Sequence, residues 1–166
     1  MNMKLTKKQI LELHATLVSC GDLRGAKFAY IVAKNILLLE PEVQAIQKAY
    51  IPSKEFMEYD GERIKLAESH AEKVNGKPEI VKENNIDSYN IKDKEKFMVE
   101  LKVLQAKYEP IIKAREEQIR DVDKILEEEV DVKLHTISTK DIPSDIQVKQ
   151  MRDIFIMIEE EKKVIN

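Results

Sequence analysis

Three histidines, one cysteine and two runs of glutamate are the residues here whose chemistry could be put to work. His14, His70 and His135 fall in three different predicted elements. No pair of them has metal-ligand spacing on one helix face, and there is no second cysteine, so spacing builds no zinc-type ligand set. They read as helix-surface or hinge histidines. Cys20 and His14 could mimic a nucleophile and its base, but they stand six residues apart near a helix end and share no face. Cys20 reads as a buried or half-buried small hydrophobe. Glu127-Glu128-Glu129 and Glu159-Glu160-Glu161 offer carboxylates to a divalent cation or a basic partner, yet charge runs at helix ends are usually solvated. Gly21-Asp22-Leu23-Arg24-Gly25 lacks the Gly-Lys-Ser/Thr end of a phosphate-binding loop. Lys4, Lys7 and Lys8 form a basic cluster too small to argue for nucleic acid. No catalytic residue, cofactor or metal is assigned, and an enzyme is not expected.

Composition points the same way. The 166 residues are 43% hydrophobic and 36% charged, with four Gly and no Trp. That balance suits long exposed helices and disfavours an all-β fold or a Gly-rich nucleotide site. Net charge is −3, with both signs mixed along the chain, which gives no general pull toward nucleic acid or an anionic membrane. No run approaches the roughly 18–20 apolar residues of a membrane span, so no membrane partner is expected. Met1 to Leu11 has no hydrophobic core of the signal-peptide kind, so none is expected. The lone Cys20 fits a reducing compartment.

The elements that must position these residues are mainly helical. Thr6 is the expected N-cap of a first helix over about Lys7–Ser19, with Ile10, Leu13 and Leu17 on its apolar face. The following stretch carries Ile36, Leu39, Val43, Ile46, Tyr50, Met57, Ile64, Ala67, Ala71 and Val74 at alternating steps of three and four, broken by Ser53 and Asp60. Pro41 is expected to kink this helix, and Pro52-Ser53 is a second candidate kink or short break. Val74-Asn75-Gly76-Lys77-Pro78 stops it. Two short strands around a polar turn near Asn84 follow, and Asp93 caps a second long helix. Its seam is Phe97, Leu101, Leu104, Tyr108, Ile111, Arg115, Gln118, Val122 and Ile125. Folding one seam on the other places Ile64 near Tyr108, Met57 near Arg115 and Ser53 near Gln118, so the polar positions meet. Asp60 or Ser53 is expected to satisfy Arg115, as a register device or a recognition point. An alternating strand over Val130–Ile137 and a helix over Ile146–Ile158, capped at Ser144-Asp145 with Phe155 inward, complete the chain. Glu159–Asn166 reads as a charged tail.

The expected fold class is therefore mainly α. It is a long antiparallel, coiled-coil-like helical hairpin (26–74 and 94–128) with an N-terminal helix (1–20) and a β-hairpin insert (78–92). A C-terminal strand and helix (130–158) form a minor α+β cap, and all of it reads as one elongated domain, 1–166. Ile36, Leu37, Leu38 and Leu39 are four apolar residues in a row, more than one neighbouring helix can bury. They lie under the first helix and the C-terminal cap, or some of them face a second subunit.

Several stretches in this order resemble a family of small uncharacterised proteins of tailed bacteriophages and prophages of Gram-positive bacteria. They are Ala33-Lys34-Asn35, Leu39-Glu40-Pro41-Glu42-Val43, Pro52 to Tyr59 with Arg63, Leu66 and Ala67, and Asn75-Gly76-Lys77-Pro78. The Lys96-Phe97 helix start, Leu126–Val132, Thr136–Pro143 and Met157-Ile158-Glu159-Glu160 complete the set. The resemblance implies a viral origin and carries no catalytic residues. With it, the expected role is a phage structural or assembly accessory acting through a protein partner or self-association, in the host cytoplasm or the virion. The alternative is a phage inhibitor of a host enzyme or defence system, supported by mild acidity and the glutamate runs. A small-ligand binder or enzyme ranks below both.

Overall fold

The computed structural model describes residues 2–83 and 85–159. The chain is mainly helical with small β elements, and it divides into two compact units, Met1–Tyr50 with Arg120–Asn166, and Ile51–Ile119.

The first unit opens with a strand, β1 (Asn2–Thr6), that runs into α1 (Lys7–Ser19). Thr6 ends the one and caps the other: its hydroxyl accepts from the Gln9 N–H, and the Gln9 side chain accepts from the Thr6 N–H. This reciprocal box satisfies two donors that a helix start leaves without partners. The strand was not expected. Its signal is the alternation of Met3 and Leu5 with Lys4 and Thr6, which needs a distant partner before it means anything. That partner is β6 (Glu129–Lys133), antiparallel, with Leu5 opposite Val130 and Met3 opposite Val132. The four apolar side chains share one face and join the core.

Helix α2 (Ala26–Tyr50) buries Phe28, Val32, Asn35, Leu39, Val43 and Ile46. The periodicity holds, with one correction. The seam position expected for Ile36 belongs to Asn35, and Ile36 is half-buried beside it. Pro41 sits on the exposed side and the helix continues through it. The missing amide and ring face water there, which limits their cost. After β6 come β7 (Ile137–Ser138), a short 3-10 turn, α6 (Val148–Ile154) and β8 (Ile158–Glu159), which pairs parallel to β7. The expected Ser144-Asp145 cap is replaced by Gln147, whose N–H donates to Gln150 Oε1 at 3.0 Å. Phe155, expected inward, is exposed, and Met157 is buried instead. A 3-10 turn over Phe155–Met157 explains the swap, because three residues per turn rotate each side chain further than an α-helix would.

The second unit begins at Ile51-Pro52-Ser53, where the candidate kink or short break is a break between α2 and a new helix. Ser53 caps α3 (Lys54–His70) through its hydroxyl to the Phe56 N–H. The break resets the rotation. Phe56, Tyr59, Leu66 and His70 turn inward in α3, while Met57 is 52% exposed and Ile64 also faces out. The helix ends at His70 rather than Val74. Ala71 bridges to Ile91, and β2 (Lys73–Val74) pairs with β3 (Lys77–Pro78) across Asn75-Gly76. Both turn residues have positive φ, 53° and 78°, the geometry of a two-residue type I′ hairpin. The expected hairpin follows as β4 (Ile80–Glu83) and β5 (Ile86–Tyr89), antiparallel, with the Asn84 turn position outside the described residues.

Asp93 caps α4 (Lys94–Lys107) through its carboxylate to the Lys96 N–H, and α5 (Glu109–Leu126) follows after a one-residue break at Tyr108. Pro110 lies in the first turn of α5, where no intrahelical N–H is required of it. The inward residues of α4 and α5 are those of the expected seam, from Phe97 through Leu101, Leu104, Tyr108, Ile111, Arg115 and Gln118 to Val122 and Ile125. In the second unit α3 and α4 run antiparallel. His70 meets Glu100, Glu62 meets Lys107, and the Tyr59 and Tyr108 rings lie 5.4 Å apart.

Candidate interaction surfaces

The residues singled out by sequence fall into separate places. On α2, Ile36 packs against the core, Leu37 is 72% exposed and Leu38 is partly exposed. Asp60 does not reach Arg115. It pairs with Arg63 one turn along α3, with Arg63 Nη2 at 2.7 Å from Asp60 Oδ1. Arg115 donates to Gln118 Oε1 at 2.7 Å and stacks over Phe56 at 5.7 Å from its centroid. Gln118 Nε2 in turn donates to the Ile51 carbonyl at 2.9 Å. A polar set therefore does meet where α3 begins, built from Arg115, Gln118 and the backbone of the Pro52 break, with Asp60 outside it. Ser53 is occupied as a cap.

His14 faces Glu40 at 2.9 Å, and His70 faces Glu100 at 3.0 Å with its ring edge-on to Phe97. The His14 contact, with Gln44 as the larger cause, holds the Glu40 carboxyl below its ordinary value. Cys20 is buried, and burial pushes its thiol up, away from the thiolate a nucleophile needs. Of the first glutamate run, Glu128 receives Lys7 at 2.8 Å and Glu129 lies 3.8 Å from Lys4. Of the second, Glu160 and Glu161 lie outside the described residues. Among the described residues no three His, Cys, Asp or Glu side chains gather as a metal site, and no helix is long and apolar enough to cross a membrane.

Two features lay outside the sequence expectations. The first is Asn35, fully buried in α2. Its Nδ2 donates to the His135 carbonyl and its Oδ1 accepts the His135 N–H, both at 2.9 Å. The amide acts as a short piece of strand, supplying both bonds for the residue between β6 and β7. The second is a groove of about 540 Å³ between α3 and α4, lined on its apolar side by Leu66, Val99, Val103 and Leu104. One of its limits is the Glu62–Lys107 pair at 3.1 Å, where Tyr108 also donates to Glu62 at 2.8 Å. The other is the Glu100–His70 pair. Tyr108 first, and then Lys107, holds the Glu62 carboxyl below its ordinary value. Val99 and Val103, at i and i+4 on α4, are 64% and 69% exposed beside this groove. Their signal in the sequence is apolar residues off the seam of the second helix, the same kind of signal that marks Leu37 and Leu38.

No family profile, curated protein or solved structure matches the chain.

Proposed function

We propose that this is a non-enzymatic interaction protein of phage origin, working as a structural or assembly accessory in the host cytoplasm or the virion. The observation that carries the interaction reading is the open apolar groove of the second unit with Val99 and Val103 standing beside it. Exposed valines one helical turn apart, next to an apolar depression, lose water only when something covers them. The polar groups around the groove engage one another across the two helices instead of converging on a point, which suits a docking face better than a reacting centre. The α3–α4 contacts also suit a coiled-coil-like antiparallel pair offering its side to a partner. The phage origin rests on the order of the sequence elements quoted above. The inhibitor reading draws less support, since Lys7 and Lys4 already occupy Glu128 and Glu129.

Co-purification of a tagged chain from phage-infected cells tests the reading. The expected result is enrichment of a protein, or of an untagged copy, that is lost with Val103→Glu. Enrichment indifferent to that substitution, or none, overturns it.

A further inference from the structure

Resting on that reading, we propose that the partner of the groove is the same groove of a second copy, in a two-fold dimer formed by α3 and α4. One face supplies both halves of the contact. Val99 and Val103 stand exposed at i and i+4 on α4 and line the groove together with the half-buried Leu66 and Leu104. A face that carries both exposed valines and recessed leucines can meet its own copy, as an isologous two-fold contact requires. A heterologous partner needs only one of the two.

Charge selects the arrangement. The α3 wall of the groove carries Glu62 and Lys65, and the α4 wall carries Glu100 and Lys107. A two-fold axis parallel to the helices lays α4 of one copy over α3 of the other and preserves height along the pair. Residues level within one chain then also meet between chains. Val103 of each copy comes to Leu66 of the other, and Lys107 of each comes to Glu62 of the other. Glu62 and Lys107 are thereby each met by opposite sign, in a pair that within the chain is still largely open to water, side chains 43% and 60% exposed. The second unit also has need of the cover. Among its described residues only Tyr59 and Ala71 are buried, and no residue of α4 is.

Light scattering on the purified full chain reads the answer. The wild type is a dimer at about 100 µM, and Val103→Glu is a monomer with an unchanged far-UV circular dichroism spectrum. Glu62→Lys alone and Lys107→Glu alone each weaken the dimer by about tenfold or more, because each sets like charges together between the copies. Mixed one to one, these two variants form a heterodimer. Position 62 of either copy then faces a charge of opposite sign at position 107 of the other. Rescue in trans is something a purely intrachain role for the pair cannot produce. A monomeric wild type, a dimer that survives Val103→Glu, or a mixture that shows no rescue overturns the inference. None of these results removes a Val103-dependent capture of a different protein, so the interaction reading and the dimer fail separately.

Discussion

The two units solve the burial problem differently. In the unit of Met1–Tyr50 and Arg120–Asn166, strand, helix and turn side chains from Leu5 to Met157 form one cluster, with Leu17, Ile137, Ile154 and Met157 fully removed from water. In the unit of Ile51–Ile119, the seam of α3 and α4 is half-buried except at Tyr59, and ring contacts and cross-helix ion pairs stand where a core would be. The difference comes from the number of layers. In the first unit α1, α2, α6 and the paired strands all supply side chains to one cluster. Two helices packed on each other each leave a flank open. Sheltered apolar mass supports stability, and an open flank supports recognition.

The largest test of that contrast is truncation. Leu17→Ala is expected to cost about 2–5 kcal/mol. Leu104→Ala, on a half-buried seam, is expected to cost about 1–2 kcal/mol. Urea denaturation measures both, and equal costs break the comparison. Amides of α4 should also exchange with deuterium sooner than those of α1. Next in size is Asn35→Ala, which leaves the part-buried N–H and C=O of His135 without their side-chain partner. About 2–4 kcal/mol is expected: two groups at roughly 1–3 each bound the cost at about 2–6, and their partial access to water keeps it in the lower part. Asn35→Asp keeps the acceptor but sets a buried carboxylate against the His135 carbonyl, so at neutral pH it should cost at least as much as Asn35→Ala.

A smaller effect is electrostatic. The Glu62 carboxyl is held below its ordinary value by Tyr108 and Lys107. The folded state therefore gains from this group in full above the ordinary carboxylate range, and the gain disappears as pH falls through the lowered value. Glu62→Gln should flatten the acid side of the stability profile of the second unit, by a small amount because the group is open to water. The smallest effect is expected at Met57. Met57→Gln should change stability by no more than about 0.5 kcal/mol, as exposed positions do. A cost above about 1 kcal/mol would put Met57 back on the seam and undo the rotation assigned to the Pro52 break.

Much of this was legible. Thr6 as a cap, the helix over Lys7–Ser19 and the whole inward face from Phe97 to Ile125 follow from local rules of capping and periodicity. Asp93 and the β4–β5 pairing do as well. The α3–α4 alignment of the expected seams lies within a few residues of the observed contacts, because an antiparallel register is fixed once the turn between the helices is known. The candidate site was less legible. Asp60 and Arg115 are both polar interruptions of apolar seams, and pairing them is reasonable on paper. A one-turn neighbour, Arg63, competes for Asp60 at far lower entropic cost than a residue on another helix. Asn35 carries no local signal of burial, since a polar residue beside Ile36 has the pattern of a solvent position. Only the neighbouring chain segment at His135 makes an amide belong there.

The sequence by itself determined which segments are helical, where most of them start, and which face of α1, α2, α4 and α5 turns inward. Those are consequences of neighbours three and four residues apart. The tertiary structure alone decided that Met3 and Leu5 form a strand against β6, that the inward face of α3 rotates after Ile51-Pro52-Ser53, and that Val99 and Val103 stay uncovered. Each of these depends on a partner distant in the chain, or on a backbone turn whose angle no hydrophobic period encodes.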